Sequence, residues 1–227
     1  MKVQIWSDFR CPFCYIGKRH LEAAIKDLGK DVEIEMMSFE LDPNYEGANG
    51  ETVAEHIAAK YGISVAEAQA NNKRVVDMAS SVGLNYNFDT MIDNNTFKAH
   101  KVLQLAKLKG VGNAFTEIGM SALFEHAKDL GDDETLVALG FEAGLLEADI
   151  RAALASDEYA LKVRQDEQWA QMIGAKGVPH FVFDDKVSLS GAQPIETFKQ
   201  AMNYVATLEP AVTQDDDLMC TDDSCAI

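Results

Sequence analysis

Basic residues are scarce in this chain of 227 residues. It has 20 Lys and Arg against 37 Asp and Glu, which gives a formal net charge of −17 at pH 7. Nucleic acids and anionic membranes attract basic surfaces, so this balance excludes both as expected partners. Long hydrophobic runs are also missing, because no stretch reaches the roughly 18 consecutive apolar residues of a membrane span. We therefore expect partners in solution.

Cysteine is rare as well. The four residues form two close pairs, Cys11 with Cys14 and Cys220 with Cys225. So few thiols exclude the disulfide framework that is typical of small secreted proteins. The first eight residues are too short and too polar for a secretory signal, and they alternate like a strand, so we expect a cytoplasmic location. In a reducing cytosol, close thiol pairs indicate transient redox chemistry or metal binding.

Proline is the third scarcity, with five residues and none between Pro43 and Pro179. Because proline interrupts helices, its absence there favours a long helical segment. Apolar residues recur at helical spacing through most of that segment. The predicted helices span residues 52–61, 64–82, 95–109, 112–129, 132–142, 146–155 and 156–173.

Strand patterns occupy the two ends of the chain instead. The predicted strands are 2–7, 32–39, 179–184 and 187–190, accompanied by helices at 12–28 and 194–208. The first half is a βαβ unit with parallel strands, and the second is a hairpin followed by a helix. The predicted fold class is α/β, a thioredoxin fold with a large all-helical domain inserted between its βαβ and ββα halves. The predicted domains are 1–48 with 174–208 (thioredoxin fold), 49–173 (helical insertion) and 209–227 (acidic C-terminal tail with the second Cys pair).

The sequence Cys11-Pro12-Phe13-Cys14 stands where the first strand leads into the first helix. Unpaired backbone N–H groups and the helix dipole favour negative charge at such a position, and therefore a thiolate on Cys11. The thiolate is the reactive form, and Cys14 lies one turn further along, placed to attack a mixed disulfide at Cys11. Cys11 and Cys14 are the predicted catalytic residues, and this chemistry requires neither a cofactor nor a metal.

Val178 and Pro179 open the third predicted strand. Proline removes a backbone N–H at this point, and the strand edge formed with Val178 is suited to pairing with an extended peptide. Both residues are therefore predicted to bind substrate. The alternative is that Pro179 only begins a strand, which is a tolerated position for proline.

Four sequence blocks carry a resemblance to a known family. They are Trp6-Ser7-Asp8 with Cys11–Gly17, Asn95-Thr96-Phe97 with Ala99-His100, Gly177-Val178-Pro179, and Ser190-Gly191-Ala192-Gln193-Pro194. In these blocks the chain resembles the DsbA-like members of the thioredoxin superfamily, specifically the FrnE-type subgroup, up to about residue 208. The resemblance implies a protein disulfide oxidoreductase, with Cys11 as nucleophile, Cys14 as resolving thiol and Pro179 as a cis-proline facing the pair. We expect protein or peptide thiols and disulfides as partners, and glutathione or a thioredoxin-type reductant as a candidate electron partner.

Several residues near the pair are candidate modulators. Asp8 is a candidate proton carrier for Cys14, with a solvated loop carboxylate as the alternative. His180 follows Pro179, and its side chain points either toward the pair or away from it. DsbA proteins usually have His where this chain has Phe13, so we expect a more reducing potential here. The candidate modulators are Asp8, Pro12, Phe13 and His180. A separate group of basic residues either supplies positive potential near the pair or forms a solvated helix surface; its members are Arg10, Lys18 and Arg19.

The second thiol pair lies in acidic surroundings. Acidic residues next to Cys220 and Cys225 disfavour their thiolates. They are candidate auxiliary redox residues that exchange electrons with Cys11 and Cys14. The alternative is a disulfide without a redox role, or two free thiols.

Three other functions compete with protein disulfide exchange. A four-cysteine zinc site is disfavoured because the first pair begins a long amphipathic helix. A glutathione-dependent isomerase or transferase of small aromatic compounds, such as a 2-hydroxychromene-2-carboxylate isomerase or a kappa-class enzyme, would usually have Ser at the position of Cys11. A chaperone-like peptide binder would keep its function without either active-site cysteine.

Overall fold

The computed structural model describes residues 1–48 and 50–208, which form a mixed four-stranded sheet with helices on both faces. The strands are β1 (Lys2–Ser7), β2 (Glu33–Ser38), β3 (His180–Phe183) and β4 (Val187–Ser190), in the order β2-β1-β3-β4. β1 runs parallel to β2 and antiparallel to β3, which is antiparallel to β4. The predicted parallel pair and C-terminal hairpin are confirmed.

The helices occupy the segments in which helical spacing predicts them. They are α1 (Pro12–Leu28), α2 (Val53–Tyr61), α3 (Val65–Ser81), α4 (Phe97–Leu108), α5 (Gly112–His126), α6 (Asp133–Glu142), α7 (Glu147–Ala155), α8 (Asp157–Met172) and α9 (Ile195–Leu208). None of the helices in the described ranges is long and apolar enough to cross a membrane.

Capping residues explain where several helices begin. Thr52 and Ser64 each form a reciprocal capping box with the glutamate three positions on, before α2 and α3. The predicted end of α5 at residue 129 is wrong, because the helix ends at His126. Ala127 adopts a left-handed conformation with φ of 51°, and Lys128 N–H then donates to the Ala122 carbonyl at 2.9 Å.

One hydrophobic core joins the sheet to the helical segment. Val3 and Ile5 of β1 share a buried cluster with Phe115 and Phe124 of α5 and with α9. The opposite face of the sheet carries a smaller cluster around Trp6, which α8 covers. The fold class is confirmed as a thioredoxin-like α/β fold with a helical insertion. The residue boundaries between the two predicted domains stay a prediction, since both contribute to the same core.

Candidate active site

The two cysteines lie at the start of α1. Cys11 is the N-cap residue, with extended backbone (φ −87°, ψ 109°), and Pro12 is the first helical residue. Cys11 N–H donates to the Asp8 carbonyl at 3.1 Å, and Cys14 N–H donates to the Cys11 carbonyl at 3.0 Å. Both thiols are free and buried. The Cys11 sulfur therefore lies at the positive end of the helix dipole.

The loop before β3 faces this pair. The Val178–Pro179 peptide bond is cis, and the Cys11 thiol lies with Sγ 3.6 Å from the Val178 carbonyl oxygen. Gly17 permits the close approach of α1 to this loop. A Cβ on Gly17 would lie 3.3 Å from Pro179 Cγ and 3.1 Å from Phe181 Cζ. A side chain at residue 17 would therefore press on the elements that carry Val178 and Pro179.

The two thiols differ in their surroundings. Burial raises the pKa of the Cys14 thiol well above its ordinary value, and the neighbouring Cys11 raises it further. The Ser7 hydroxyl and the Asp8 N–H oppose this rise only in part. The Cys14 thiol therefore keeps its proton, and Cys11 lies one turn earlier, at the helix N-terminus. This asymmetry suits an attacking Cys11 and a resolving Cys14.

Asp8 is fully buried beside the loop that carries Cys11. Its carboxylate accepts hydrogen bonds from the Thr96 hydroxyl at 2.7 Å and from Leu41 N–H at 2.8 Å, and His100 Nε2 lies 3.5 Å away. Burial opposes ionisation of this carboxyl, but contact with His100 and these hydrogen bonds outweigh it and lower its pKa. The alternative of a solvated loop carboxylate is wrong. Through these hydrogen bonds, Asp8 connects the loop that carries Cys11 to the segment after β2 and to the start of α4.

Sequence patterns gave no sign of Tyr86 as a site residue. Its hydroxyl donates to the Pro12 carbonyl at 2.8 Å, so the helical insertion reaches the Cys-Pro-Phe-Cys motif directly. The ring is buried and stacks on Phe124, with the centroids 4.5 Å apart. Tyr86 lies between α3 and α4 in a segment without helical or strand periodicity. A tyrosine among Asn and Asp residues is common in loops, so the contact appears only in three dimensions.

Comparison with known proteins decides the family. A family model described as a DSBA-like thioredoxin domain matches residues 2–203. The chain belongs to the DSBA-like thioredoxin family. It is 30% identical over 203 residues to YwbO of Bacillus subtilis (strain 168), a protein described as uncharacterized, with 88% of this chain and 95% of YwbO covered.

Solved structures show the same DSBA-like fold. A crystal structure described as a probable DsbA oxidoreductase from Streptomyces coelicolor superposes with a TM-score of 0.87 at 38% identity and covers 100% of this chain and 99% of its own. The cytosolic disulfide reductase DsbM from Pseudomonas aeruginosa, solved with GSH, has a TM-score of 0.57 at 17% identity, with 92% of this chain and 98% of DsbM covered. A 2-hydroxychromene-2-carboxylate isomerase has a TM-score of 0.67 at 15% identity, covering 92% of this chain and 97% of its own. At such identities the last two show similarity of fold alone.

The side chains of His180 and Phe13 lie in different places relative to Cys11 and Cys14. His180 lies on the face of the sheet opposite α1, where its Nδ1 is 2.9 Å from Ser190 Oγ and its ring packs near Trp6. Burial lowers the pKa of His180, which favours the neutral ring. Phe13 is 38% exposed beside the two thiols. Of these two candidate modulators, only Phe13 is exposed.

The basic residues near the Cys-Pro-Phe-Cys motif form ion pairs. Lys18 is only 2% exposed, and its Nζ lies 2.5 Å from Glu22 Oε1 and 2.8 Å from Glu117 Oε2. Arg19 also pairs with Glu117. Arg10 Nη2 lies 2.5 Å from Asp93 Oδ2. The interpretation of Lys18 as solvated helix surface is therefore wrong, because α5 covers this side of α1.

Two remaining predictions concern the other thiols and metal binding. Cys220 and Cys225 lie outside the described residues, so their auxiliary redox role stays a prediction. Within residues 1–48 and 50–208, no three His, Cys, Asp or Glu side chains are grouped to hold a metal ion.

Proposed function

We propose that this DSBA-like chain is a thiol–disulfide oxidoreductase acting on protein or peptide thiols and disulfides. The observation that carries the proposal is the pairing of Cys11 at the N-terminus of α1 with Cys14, a buried thiol one turn further along whose pKa is raised. The cis Val178–Pro179 loop beside Cys11 supports it by offering backbone to an extended substrate. Val178 and Pro179 are the proposed substrate-binding residues.

The proposed reaction transfers two electrons between the pair and a substrate disulfide. The Cys11 thiolate attacks one substrate sulfur, the substrate S–S bond breaks, and the other substrate sulfur leaves as a thiolate. Cys14 then loses its proton and attacks the Cys11 sulfur of the mixed disulfide, which releases the second substrate thiolate. The pair ends as a disulfide and the substrate as two thiols. Oxidation of a substrate dithiol follows the reverse order.

We further propose that the protein works in the cytoplasm, with glutathione or a thioredoxin-type protein returning the pair to its reduced form. The small number of cysteines and their arrangement in pairs support this location. DsbM is described as cytosolic, and its likeness to this chain is one of fold.

The test is disulfide exchange on a scrambled model protein and on a reduced one, in glutathione buffers. Wild type should reshuffle or oxidise the model, and Cys11→Ser should lose this activity. Cys14→Ser separates the glutathione-linked alternative, because an isomerase of small aromatic compounds would keep its activity in this variant and require glutathione. Retention of peptide binding alone, with no exchange by wild type, would replace the proposal with a chaperone-like function.

A further inference from the structure

Tyr86 is held against the redox motif by contacts on both sides of it in the chain. Asn85 N–H donates to Glu125 Oε1 at 2.7 Å, and Asn87 N–H donates to the Phe124 carbonyl at 2.8 Å. Both acceptors belong to the last turn of α5. The Tyr86 ring, 5% exposed, is stacked on Phe124 at a centroid distance of 4.5 Å. The hydroxyl therefore reaches Pro12 from a fixed backbone.

The acceptor of this hydrogen bond belongs to a peptide unit in the first turn of α1, between the two cysteines. The Pro12 carbonyl, which lies 2.8 Å from the Tyr86 hydroxyl, shares its peptide unit with the Phe13 N–H. That N–H is in the first turn of α1, where N–H groups have no partner four residues earlier in the helix. Hydrogen bonds in series polarise one another, so a donor on the carbonyl makes the N–H of the same unit a stronger donor.

We propose that Tyr86 is a positioning residue for the redox pair, because its hydrogen bond to Pro12 polarises the Pro12–Phe13 peptide unit and thereby favours the Cys11 thiolate. The inference rests on the proposed function and identifies what the helical insertion contributes to it. Removal of the hydroxyl weakens the field at the Cys11 sulfur, so the reduced, thiolate-bearing form loses stability relative to the disulfide.

The environment of Tyr86 agrees with a permanently neutral donor. Burial raises the pKa of Tyr86 well above its ordinary value, and the neighbouring Cys11 and Cys14 raise it further. The hydroxyl therefore keeps its proton over the pH range in which thiol exchange takes place.

The test is Tyr86→Phe in the full chain, which retains the stacked ring and deletes only the hydroxyl. The measured reaction is protein disulfide plus two glutathione giving protein dithiol plus oxidised glutathione. After alkylation and trypsin, residues 11–18 form one peptide that contains Cys11 and Cys14 and no other cysteine. Its oxidised fraction therefore reports this pair alone.

We expect Tyr86→Phe to lower the equilibrium constant for reduction about threefold, a shift of about 14 mV toward a more reducing potential at 29.6 mV per tenfold. Tyr204→Phe, which alters an exposed ring, should leave the constant unchanged. Tyr15→Phe is the second control, because its hydroxyl bonds to Glu117 within the same aromatic cluster. It should lower the melting temperature without moving the potential.

Two results would overturn the inference. One is a potential for Tyr86→Phe that equals the wild-type value while its melting temperature falls, which would give the hydrogen bond a structural role only. The other is a shift toward a more oxidising potential. If the wild-type peptide never forms a Cys11–Cys14 disulfide in any glutathione buffer, the proposed function itself fails, and this outcome is distinct from both.

Discussion

Replacement of Asp8 by Asn tests whether the Asp8 carboxylate stabilises the loop that carries Cys11. Oδ1 of the carboxylate accepts from the Thr96 hydroxyl at 2.7 Å and from Arg10 N–H at 3.3 Å, and Oδ2 accepts from Leu41 N–H at 2.8 Å. An amide has only one accepting oxygen. Whichever way it turns, its NH₂ group must face a backbone N–H that needs an acceptor.

The expected cost follows from this mismatch. A hydrogen bond to a charged group contributes about 1.5–3 kcal/mol, and a buried donor without an acceptor costs about 1–3 kcal/mol. The carboxylate is fully buried, so water does not replace the lost partner. Because relaxation of the loop recovers part of this energy, we expect Asp8→Asn to lower the free energy of unfolding by about 3 kcal/mol at pH 7.

The pH dependence has a definite sign. The pKa of Asp8 is lower in the folded protein than in the unfolded chain, because contact with His100 and the hydrogen bonds from Leu41 and Thr96 outweigh burial. Its stabilising effect is therefore complete above the unfolded pKa of about 4 and is lost as the pH falls through the folded value. The difference between wild type and Asp8→Asn should stay constant from pH 7 to about pH 5 and shrink only in stronger acid.

Urea unfolding followed by circular dichroism measures this difference at each pH. Asp31→Asn, at an exposed position, is the matched control and should stay within about 0.5 kcal/mol of wild type. A variant Asp8→Asn within 1 kcal/mol of wild type at pH 7 would refute the reasoning. A stability difference that grows as the pH falls from 7 to 5 would do so as well.

Three further changes probe other contacts of the site. Gly17→Ala should lower the free energy of unfolding by about 1 kcal/mol and slow disulfide exchange, because overpacking against Pro179 and Phe181 exceeds the gain in helix propensity. Gly177→Ala is the control, since Gly177 has open space around it, and it should change neither the stability in urea nor the rate of disulfide exchange. Glu117→Gln should cost about 2 kcal/mol in urea unfolding by leaving the buried Lys18 with one carboxylate, and equal stability would contradict this. Phe13→His should shift the glutathione equilibrium of the pair about tenfold, or 30 mV, toward a more oxidising potential, and an unchanged value would remove the electrostatic argument.

Local sequence signals were sufficient to predict most of the fold. Apolar spacing and caps such as Thr52 with Glu55 determine helices through short-range contacts, which can be read from the chain. The hairpin signal at Asp184-Asp185 also held, and both residues have positive φ, as primed turns require. The end of α5 could not be predicted, because Ala127 takes a left-handed conformation that its residue type disfavours.

The candidate site was predictable only in its thiols and its proline loop. The type and spacing of these residues within a few positions of the chain are enough to identify them. Tyr86, and the Asp8 partners Leu41 and Thr96, lie more than 30 residues along the chain from the groups they contact, so no local pattern reports them. The burial of Lys18 was also not predictable from the local sequence. A lysine on a helix is usually solvated, but here α5 supplies Glu117 and covers it.

The most direct test of the central claim is to trap the mixed disulfide. Cys14→Ser should be incubated with a disulfide-containing model peptide, quenched by alkylation and digested with trypsin, and the peptide of residues 11–18 then analysed by mass spectrometry. We predict that Cys14→Ser carries a stable adduct of the model peptide on Cys11, which wild type resolves and Cys11→Ser does not form at this site. Absence of the adduct from Cys14→Ser, or its formation on Cys14 in Cys11→Ser to the same extent, would contradict the assignment of Cys11 as the nucleophile.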